Sequence, residues 1–279
     1  GLDDKVLTAW NGMMLGAMAE GARVLGESRY LAAAVRTADF LRGALRRPDG
    51  RLLRTYRAGQ AHLDAYLEDY AFLAEGLLDL YEAGGGPRYL REAAGLADRI
   101  RGDFGSAAEG FYDTARDHEP LIVRHKDGAD GAVPSANAVA AAVLARLACH
   151  LDRPELREAA VGAVQAYARR IAQHPRAFCR SLWVVDFLLE GPVELAFVGA
   201  AGDPALEALR IAVARRYLPN RIVAHHDPGA GDTDLPLLRG KTSVGGRAAL
   251  YVCRQFACQA PLTDPADLDR ALSERPAGA

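Results

Sequence analysis

Two kinds of helix alternate along this chain, and the alternation restricts its fold more than any other feature. Residues 8–25 are apolar on nearly all sides, whereas residues 28–46 carry one apolar stripe opposite an arginine-rich face. A helix that is apolar all round is buried on several sides, while a single stripe indicates a surface position. The same alternation predicts three further pairs, at 68–83 with 87–104, 127–149 with 153–173, and 177–190 with 203–217.

Regular alternation of buried and surface helices predicts an inner and an outer layer of helical hairpins. We therefore expect an all-α fold, an α/α toroid that resembles an (α/α)6 barrel and forms a single domain over residues 1–279. About four hairpins are visible, so the ring is expected to be incomplete. Short strand-like stretches, such as GRLLRTYRAGQAHL, VELAFVG and RIVAHHD, are interpreted as β-hairpin extensions or single strands at one rim. The sequence shows no repeated βαβ pattern, so it does not indicate a parallel sheet.

The composition is that of a globular protein without a polyanionic partner. Half of the 279 residues are apolar and the formal net charge is −2. Neither nucleic acid nor a membrane is expected as a partner, because the chain has no basic excess and no long unbroken apolar run. The four cysteines are too few for a disulfide scaffold in a chain of this length, which favours a cytoplasmic location.

Polar and aromatic residues crowd the predicted starts of the inner helices. In a ring of hairpins these helices run in the same direction, so their N-termini meet on one face although they are distant in sequence. The residues at these starts are Asp3, Asp4, Trp10 and Asn11; Glu68, Asp69 and Tyr70; Asp130, Ser135 and Asn137; and Arg180, Ser181 and Trp183. Aromatic rings stack on sugars, while carboxylates and amides bind hydroxyl groups, so this face is predicted to bind a small carbohydrate.

Within this face, two carboxylates are the candidate catalytic groups, Asp69 and Asp130, with Glu68 as the alternative acid. Glycoside hydrolysis uses two such groups, separated by roughly 5–5.5 Å for retention or 6.5–9.5 Å for inversion. Sugar epimerisation is less favoured, because no histidine lies at a start. The structural alternative is that Ser, Asp and Asn simply cap their helices.

The remaining motifs give weaker indications. Residues 240–242 read Gly-Lys-Thr but lack the preceding glycine of a phosphate loop. A strand would send His225 and His226 to opposite faces, so at most one would serve a given site. Cys253 and Cys258 could form a disulfide or a redox-active thiol pair, with two free thiols as the default. No metal site or cofactor is predicted, since no second cysteine pair is available for zinc.

Four stretches together resemble a known family: DDKVLTAWNGMM, LEDYAFLAEGLLDLYEA, KDGADGAVPSANAVAAAVLARLA and YVCRQFACQAPLTDP. They are similar to the helical C-terminal region of the thioredoxin-domain-containing family of YyaL and spermatogenesis-associated protein 20. The resemblance implies a six-hairpin, glycosidase-like region and a thioredoxin-like domain elsewhere in the full-length protein. It implies no particular reaction, because (α/α)6 proteins include sugar hydrolases and sugar epimerases.

Three hypotheses follow. The favoured one is a carbohydrate-active or sugar-binding domain, with Trp10 and Tyr70 stacking on the sugar and Asn11, Ser135 and Asn137 binding its hydroxyl groups. The alternative is a non-enzymatic scaffold or partner domain of a thioredoxin-like redox protein. In the third, the polar starts are only helix caps.

Overall fold

The computed structural model describes residues 2–106, 110–119, 122–231, 233–255 and 257–273. These residues contain ten α-helices and seven strands. The helices are α1 (Thr8–Leu25), α2 (Ser28–Ala44), α3 (Leu67–Leu80), α4 (Pro87–Arg99), α5 (Ala136–Leu151), α6 (Pro154–Gln165), α7 (Ala168–Gln173), α8 (Cys179–Glu190), α9 (Pro204–Ala214) and α10 (Leu268–Ser273). The strands are β1 (Val6–Leu7), β2 (Leu53–Arg57), β3 (Gln60–Asp64), β4 (Val193–Val198), β5 (Arg221–His226), β6 (Ala249–Arg254) and β7 (Ala257–Cys258).

The first three predicted helical pairs are present, as α1 with α2, α3 with α4, and α5 with α6. The inner helices pack in sequence, α1 on α3, α3 on α5, and α5 on α8, so that they form an arc with the partner helices outside. Burial follows the predicted alternation: α5 is buried around nearly its whole circumference, whereas α2 buries only Ala34, Ala38 and Leu41. The layered helical architecture is therefore confirmed.

Glycines bring α1 and α3 into backbone contact. A Cβ atom on Gly12 would lie 2.7 Å from the backbone nitrogen of Leu73, and one on Gly76 would lie 2.4 Å from the carbonyl oxygen of Gly12. Real Cβ contacts are longer than this, so neither position accommodates a side chain without displacing a helix. The two helices cross at a distance that only glycine permits.

The predicted fourth helical pair is wrong, and with it the expectation of an all-α fold. Helix α9 connects β4 to β5, which lie side by side as a parallel pair, so residues 193–226 form a βαβ unit. Strands β6 and β7 add antiparallel neighbours and complete a sheet of order β5-β4-β6-β7. The stretches VELAFVG and RIVAHHD are thus adjacent strands of one sheet and not separate extensions at a rim.

The two faces of this sheet contact different parts of the protein. Ala196 and Ala224 face the large core formed by the helical hairpins. Leu195, Phe197 and Val223 alternate with these alanines along the strands, so they point to the opposite face and pack in a smaller core with α9. Because both faces are covered, β4 is buried along its whole length, which is characteristic of a parallel strand and explains its nearly unbroken apolar sequence.

The smaller sheet joins the first two hairpins. Strands β2 and β3 form a hairpin whose turn contains Ala58 and Gly59, both at positive φ, and β1 pairs with β2 just before α1 begins. This confirms a β-hairpin extension in the predicted stretch GRLLRTYRAGQAHL. In the described ranges, every helix is too short or too polar to cross a lipid bilayer.

Candidate functional site

Asp69, the leading predicted carboxylate, joins the starts of α1 and α3. Its Oδ1 accepts a hydrogen bond from the Ala9 N–H at 3.0 Å, and its Oδ2 accepts from the Tyr66 N–H at 2.9 Å and from Arg54 Nη1 at 3.1 Å. Burial raises the pKa of Asp69 to about 6, although these donors oppose the shift. The side chain is fully buried and its two oxygens are occupied by protein donors.

The neighbours of Asp69 are similarly engaged. Glu68 pairs with Arg54 at 2.7 Å, and the buried Tyr70 hydroxyl accepts a hydrogen bond from the Leu52 N–H at 2.9 Å. The ring of Tyr70 packs against Phe104 with centroids 5.1 Å apart. These side chains fix β2 and the preceding loop onto α3, and the Tyr70 ring is not presented to solvent.

The start of α5 holds two loops in place. The Asn137 amide accepts a hydrogen bond from the Phe111 N–H and donates to the carbonyl oxygens of Phe111 and Asp127. Ser135 caps α5 by accepting from the Ala138 N–H, and its hydroxyl donates to the Asp127 carbonyl. The predicted capping by Ser135 is therefore present.

Asp130 links the starts of α5 and α8, because its two oxygens accept from the N–H groups of Ser135 and Arg180. In α1, Asn11 donates to the Leu7 carbonyl, whereas the Trp10 side chain is 63% exposed. The structure thus brings the predicted residues together in pairs through backbone contacts. Their catalytic and binding roles stay predictions.

A cluster of charged side chains lies deeper, between the inner helices, and the sequence prediction named only one of its members, Arg180. We call it the axial cluster; it consists of Glu75, Asp79 and Glu82 from α3 and the turn after it, Arg146 and His150 from α5, and Arg180 from α8. Arg146 binds Asp79 at 2.8 Å and Glu82 at 3.1 Å, while His150 Nε2 lies 3.0 Å from Glu82. Arg180 pairs with Glu75.

The axial cluster has a dry end and an accessible end. Glu82 and His150 are only 4% and 1% exposed, whereas the side chains of Glu75 and Asp79 retain 22% and 28% of their accessible surface. At the dry end, burial alone would raise the pKa of Glu82, but Arg146 and His150 outweigh it and hold the pKa at about 2. Glu82 is therefore a fixed negative charge.

Asp79 is the unusual carboxyl at the accessible end. Burial raises its pKa to about 6, with Glu75 and Glu82 adding to the shift and Arg146 opposing it. Helix α1 leaves room for this group, since a Cβ atom on Gly16 would lie 2.7 Å from Asp79 Oδ2. The carboxyl is thus placed to exchange a proton near neutral pH.

An aromatic ring adjoins the accessible end. The Arg180 guanidinium lies over the Trp183 ring, 4.6 Å from its centroid, while also pairing with Glu75. Trp183 is half-buried and packs against Phe187. The combination of two carboxylates, a guanidinium and an indole resembles the set of groups expected at a sugar site. Arg180 and Trp183 belong to the predicted face, whereas the carboxylates Glu75 and Asp79 were not predicted.

The sequence does contain a signal for the axial cluster. Glu75, Asp79 and Glu82 are spaced four and three residues apart in a segment that is otherwise apolar after its first turn, and Arg146 and His150 are four apart on the next inner helix. Such spacings place side chains on one face of a helix. Charged stripes on two buried helices must meet partners inside the protein, because an unpaired buried charge is costly.

The cysteine pair near the C-terminus is a disulfide, so the default expectation of two free thiols is wrong. Cys253 and Cys258 stand opposite each other in the β6–β7 pair, with Cα atoms 4.0 Å apart. Cys253 is buried, whereas Cys258 is exposed on the edge strand. Their redox role stays a prediction.

His225 and His226 lie on opposite faces of β5, as predicted from the alternation of side chains along a strand. His225 points between the sheet and the helices, where Nε2 donates to the Glu82 carbonyl at 2.8 Å, while His226 lies on the opposite face of the strand. In the loop before α5, the ring of His118 contacts the ring of Tyr66, and His125 forms a hydrogen bond with Asp113. Across the described ranges, no three His, Cys, Asp or Glu side chains gather in a metal-binding arrangement.

Solved structures define the class of fold. The chain is similar to a sugar epimerase from a ruminal bacterium, with a TM-score of 0.54, 15% identity and coverage of 77% of this chain and 62% of that one. It also resembles cellobiose 2-epimerase from Bacillus thermoamylovorans B4167, with a TM-score of 0.50, 16% identity and coverage of 59% and 45%. The helical part thus resembles part of the (α/α)6 glycosidase-like fold, and the chain also contains the βαβ unit.

Sequence relatives give the particular family. Human spermatogenesis-associated protein 20 is 33% identical over 285 residues, which cover 97% of this chain. The chain is a homologue of that protein, and the resemblance to its family is confirmed. It spans 36% of the length of the human protein. No protein-family profile matches the chain.

Proposed function

We propose that this chain is a sugar-processing domain whose site is the accessible end of the axial cluster. The observation that carries the proposal is the juxtaposition of Glu75 and Asp79, both partly exposed one helical turn apart, with Arg180 and Trp183 beside them. The similarity to sugar epimerases supports a sugar ligand. The carboxylates and the guanidinium would bind hydroxyl groups, and the Trp183 ring would contact the apolar face of a sugar.

Within this proposal, the two carboxyl groups have different roles. Glu75, which pairs with Arg180, binds and orients the substrate, while Asp79, with its raised pKa, supplies or takes the proton. A carboxyl group whose surroundings raise its pKa towards neutrality is typical of acid–base catalysis. We favour glycoside hydrolysis or binding over epimerisation, because His150 is buried against Glu82 and cannot reach a substrate.

The proposal is tested by incubating the protein with cellobiose, maltose, glucose and mannose in D2O and following the products by NMR. New reducing ends would identify hydrolysis, and deuterium at C2 would identify epimerisation. We expect one of these products, or saturable binding, from the wild type. Asp79→Asn is expected to lower turnover by at least about 100-fold, the scale of general acid–base catalysis.

The matched control is Asp39→Asn, which changes a partly exposed aspartate on the outer helix α2. Circular dichroism establishes that both variants are folded, since Asp79 also binds Arg146. Wild-type turnover that survives in Asp79→Asn would remove that residue from the mechanism. Absence of both binding and turnover across the panel would contradict the proposed sugar site.

The carboxylates predicted from sequence define a second location for the same function. We retain Asp69, Asp130 and Glu68 as proposed catalytic groups, with the exposed Trp10 as the stacking surface of that face. Asp130→Asn belongs in the same assay. Loss of turnover there, with unchanged folding and an active Asp79→Asn variant, would move the site to the helix starts.

A non-enzymatic role as partner of a thioredoxin-like domain is the second candidate function, and the disulfide favours it. Cys258 lies exposed on an edge strand, where another protein can reach it. If the protein is cytoplasmic as predicted, a disulfide there is typically transient and redox-active. We expect thioredoxin to reduce the Cys253–Cys258 pair and thereby add two reactive thiols. A pair that resists thioredoxin would count against this role.

A further inference from the structure

A cavity lies where the βαβ unit meets the first hairpin. It has a volume of about 230 Å³ and opens between the end of α1, the start of α2, helix α9 and strands β4 and β5. Leu31, Phe197, Ile211, Val213 and Val223 form its apolar wall. The cavity lies past the dry end of the axial cluster, with Glu82 at the boundary between them.

The charged residues that line the cavity differ in how well they are neutralised. Arg23 binds Glu20 through two hydrogen bonds, and Glu82 is held by Arg146 and His150. Among the residues that the structure describes, the carboxylate that pairs with Arg210 is the largely exposed Glu207, 3.8 Å away. The Nε of Arg210 is buried and has no hydrogen-bond partner among the described residues.

The closest polar contact of Arg210 is a neutral histidine. His225 Nε2 lies 2.8 Å from the Glu82 carbonyl oxygen, which can only accept, so Nε2 carries the proton. Nδ1 is then the acceptor and receives a hydrogen bond from Arg210 Nη2 at 3.3 Å. Burial, followed by the nearby Arg210 charge, lowers the pKa of His225 to about 4, which keeps the ring neutral.

This arrangement orients the guanidinium without neutralising it. The Phe197 ring stacks on His225 with centroids 5.4 Å apart and fixes the imidazole plane, so the acceptor that positions Arg210 is itself rigid. A partly buried guanidinium with unused donors is suited to a planar carboxylate, which it binds through two parallel hydrogen bonds. Consistent with this, burial lowers the pKa of Arg210 and Glu207 only partly offsets the effect.

We propose that this cavity binds a small carboxylate with an apolar body, the carboxylate held by Arg210 and the body packed against the wall formed by α9, β4 and β5. The volume lies below the 300–1,000 Å³ of drug-sized sites, which indicates a small aromatic or branched aliphatic acid. A phosphate ester fits less well, because Arg23 is already neutralised by Glu20. This site is independent of the proposed sugar site.

The test uses benzoate as the probe and uncharged benzamide as its isosteric control, each titrated into the wild-type protein by calorimetry and ligand-observed NMR. We expect benzoate to bind saturably and benzamide to bind at least tenfold more weakly. Failure of benzoate and of 4-methylpentanoate to bind at concentrations up to about 10 mM would overturn the proposal. Equal affinity for benzoate and benzamide would overturn it as well.

Variants locate the binding. Arg210→Gln removes the charge and is expected to weaken benzoate binding at least tenfold, whereas Arg215→Gln, at an exposed arginine directly after the same helix, is expected to leave it unchanged. Equal affinity in the two variants would place the ligand elsewhere and overturn the assignment. Should Arg210→Gln fail to fold, the comparison of benzoate with benzamide on the wild type still decides the matter.

Discussion

Replacing Arg146 by Met is expected to destabilise the protein more than any other change in the axial cluster. Arg146 is buried and binds Asp79 at 2.8 Å and Glu82 at 3.1 Å, so its loss leaves two carboxylates without their main counter-charge. Breaking a buried ion pair by removing one partner typically costs about 3–5 kcal/mol. For a protein of this size, the melting temperature should fall by roughly 10 °C.

The loss should depend on pH in a definite direction. In the folded wild type Glu82 has a pKa of about 2, below its ordinary value of 4.5, so its ionised form contributes stability above pH 4.5. That contribution disappears as the pH falls from about 4.5 to 2. Without Arg146 the folded-state pKa values of Glu82 and Asp79 rise, so both protonate more readily in acid. The difference between variant and wild type should therefore shrink at lower pH.

The assay is urea denaturation, followed by circular dichroism at pH 7.5 and pH 4.5. We expect a deficit of about 3–5 kcal/mol at pH 7.5 and less than about half of it at pH 4.5. The double variant Arg146→Met with Glu82→Gln should recover part of the loss, because one uncompensated charge is removed. Arg36→Met, on the exposed face of α2, is the control and should be near neutral. A loss below about 1 kcal/mol, or one of equal size at both pH values, would refute the argument.

Three further predictions concern other contacts. Gly76→Ala should destabilise by about 1–3 kcal/mol in thermal melts, because its Cβ would lie 2.4 Å from the Gly12 carbonyl oxygen, whereas Gly95→Ala, with open space around it, should stabilise slightly. Asp69→Asn should cost about 2–3 kcal/mol in urea denaturation, because an amide cannot accept all three hydrogen bonds. Cys258→Ser should cost about 2 kcal/mol under oxidising conditions and nothing under reducing ones, as expected for a short closed loop.

Each of these has a clear contrary result. Equal stability of the two glycine variants would show that the helices separate at little cost. An Asp69→Asn variant as stable as the wild type but inactive would favour the catalytic role predicted from sequence over a structural one. A Cys258→Ser loss that persists under reducing conditions would assign the effect to packing and not to the disulfide.

Helix alternation was readable from sequence because burial imposes a period of 3.6 residues on each helix separately. Residues 8–25 were predicted to be one helix and are α1 with the same bounds. The predicted helix 153–173 is instead two, α6 and α7, with a break between Gln165 and Ala168. The local sequence pattern thus predicts which segments are helical better than it predicts where each helix begins and ends.

The βαβ unit was missed for a related reason. The VELAFV and RIVAHH stretches are recognised as strands from their sequence, but a short apolar run does not show which other strand it pairs with. The parallel partner of VELAFV begins at Arg221, beyond an intervening helix that resembles the outer helices. Only the packing of α9 on the sheet, in place of a hairpin partner, separates the two interpretations.

The hydrogen-bond and ion-pair partners of polar side chains were the least predictable feature of the structure. Asp69 accepts a hydrogen bond from Ala9, sixty residues away, and Asp130 from Arg180, fifty residues away. Such contacts depend on how helix starts meet in space. The stripe of Glu75, Asp79 and Glu82 was visible in the sequence, yet its partners on α5 and α8 emerge only from the fold.

The two tryptophans provide the most direct test of the central claim, that the sugar site lies in the axial cluster. Trp10 lies at the start of α1 and Trp183 lies beside Arg180 of the axial cluster, and the sequence contains no other tryptophan. Fluorescence is therefore titrated with the sugar panel in Trp10→Phe, where Trp183 reports alone, and in Trp183→Phe. Our account predicts a saturable change in Trp10→Phe and none in Trp183→Phe. A response confined to Trp183→Phe, or none in either variant, would contradict it.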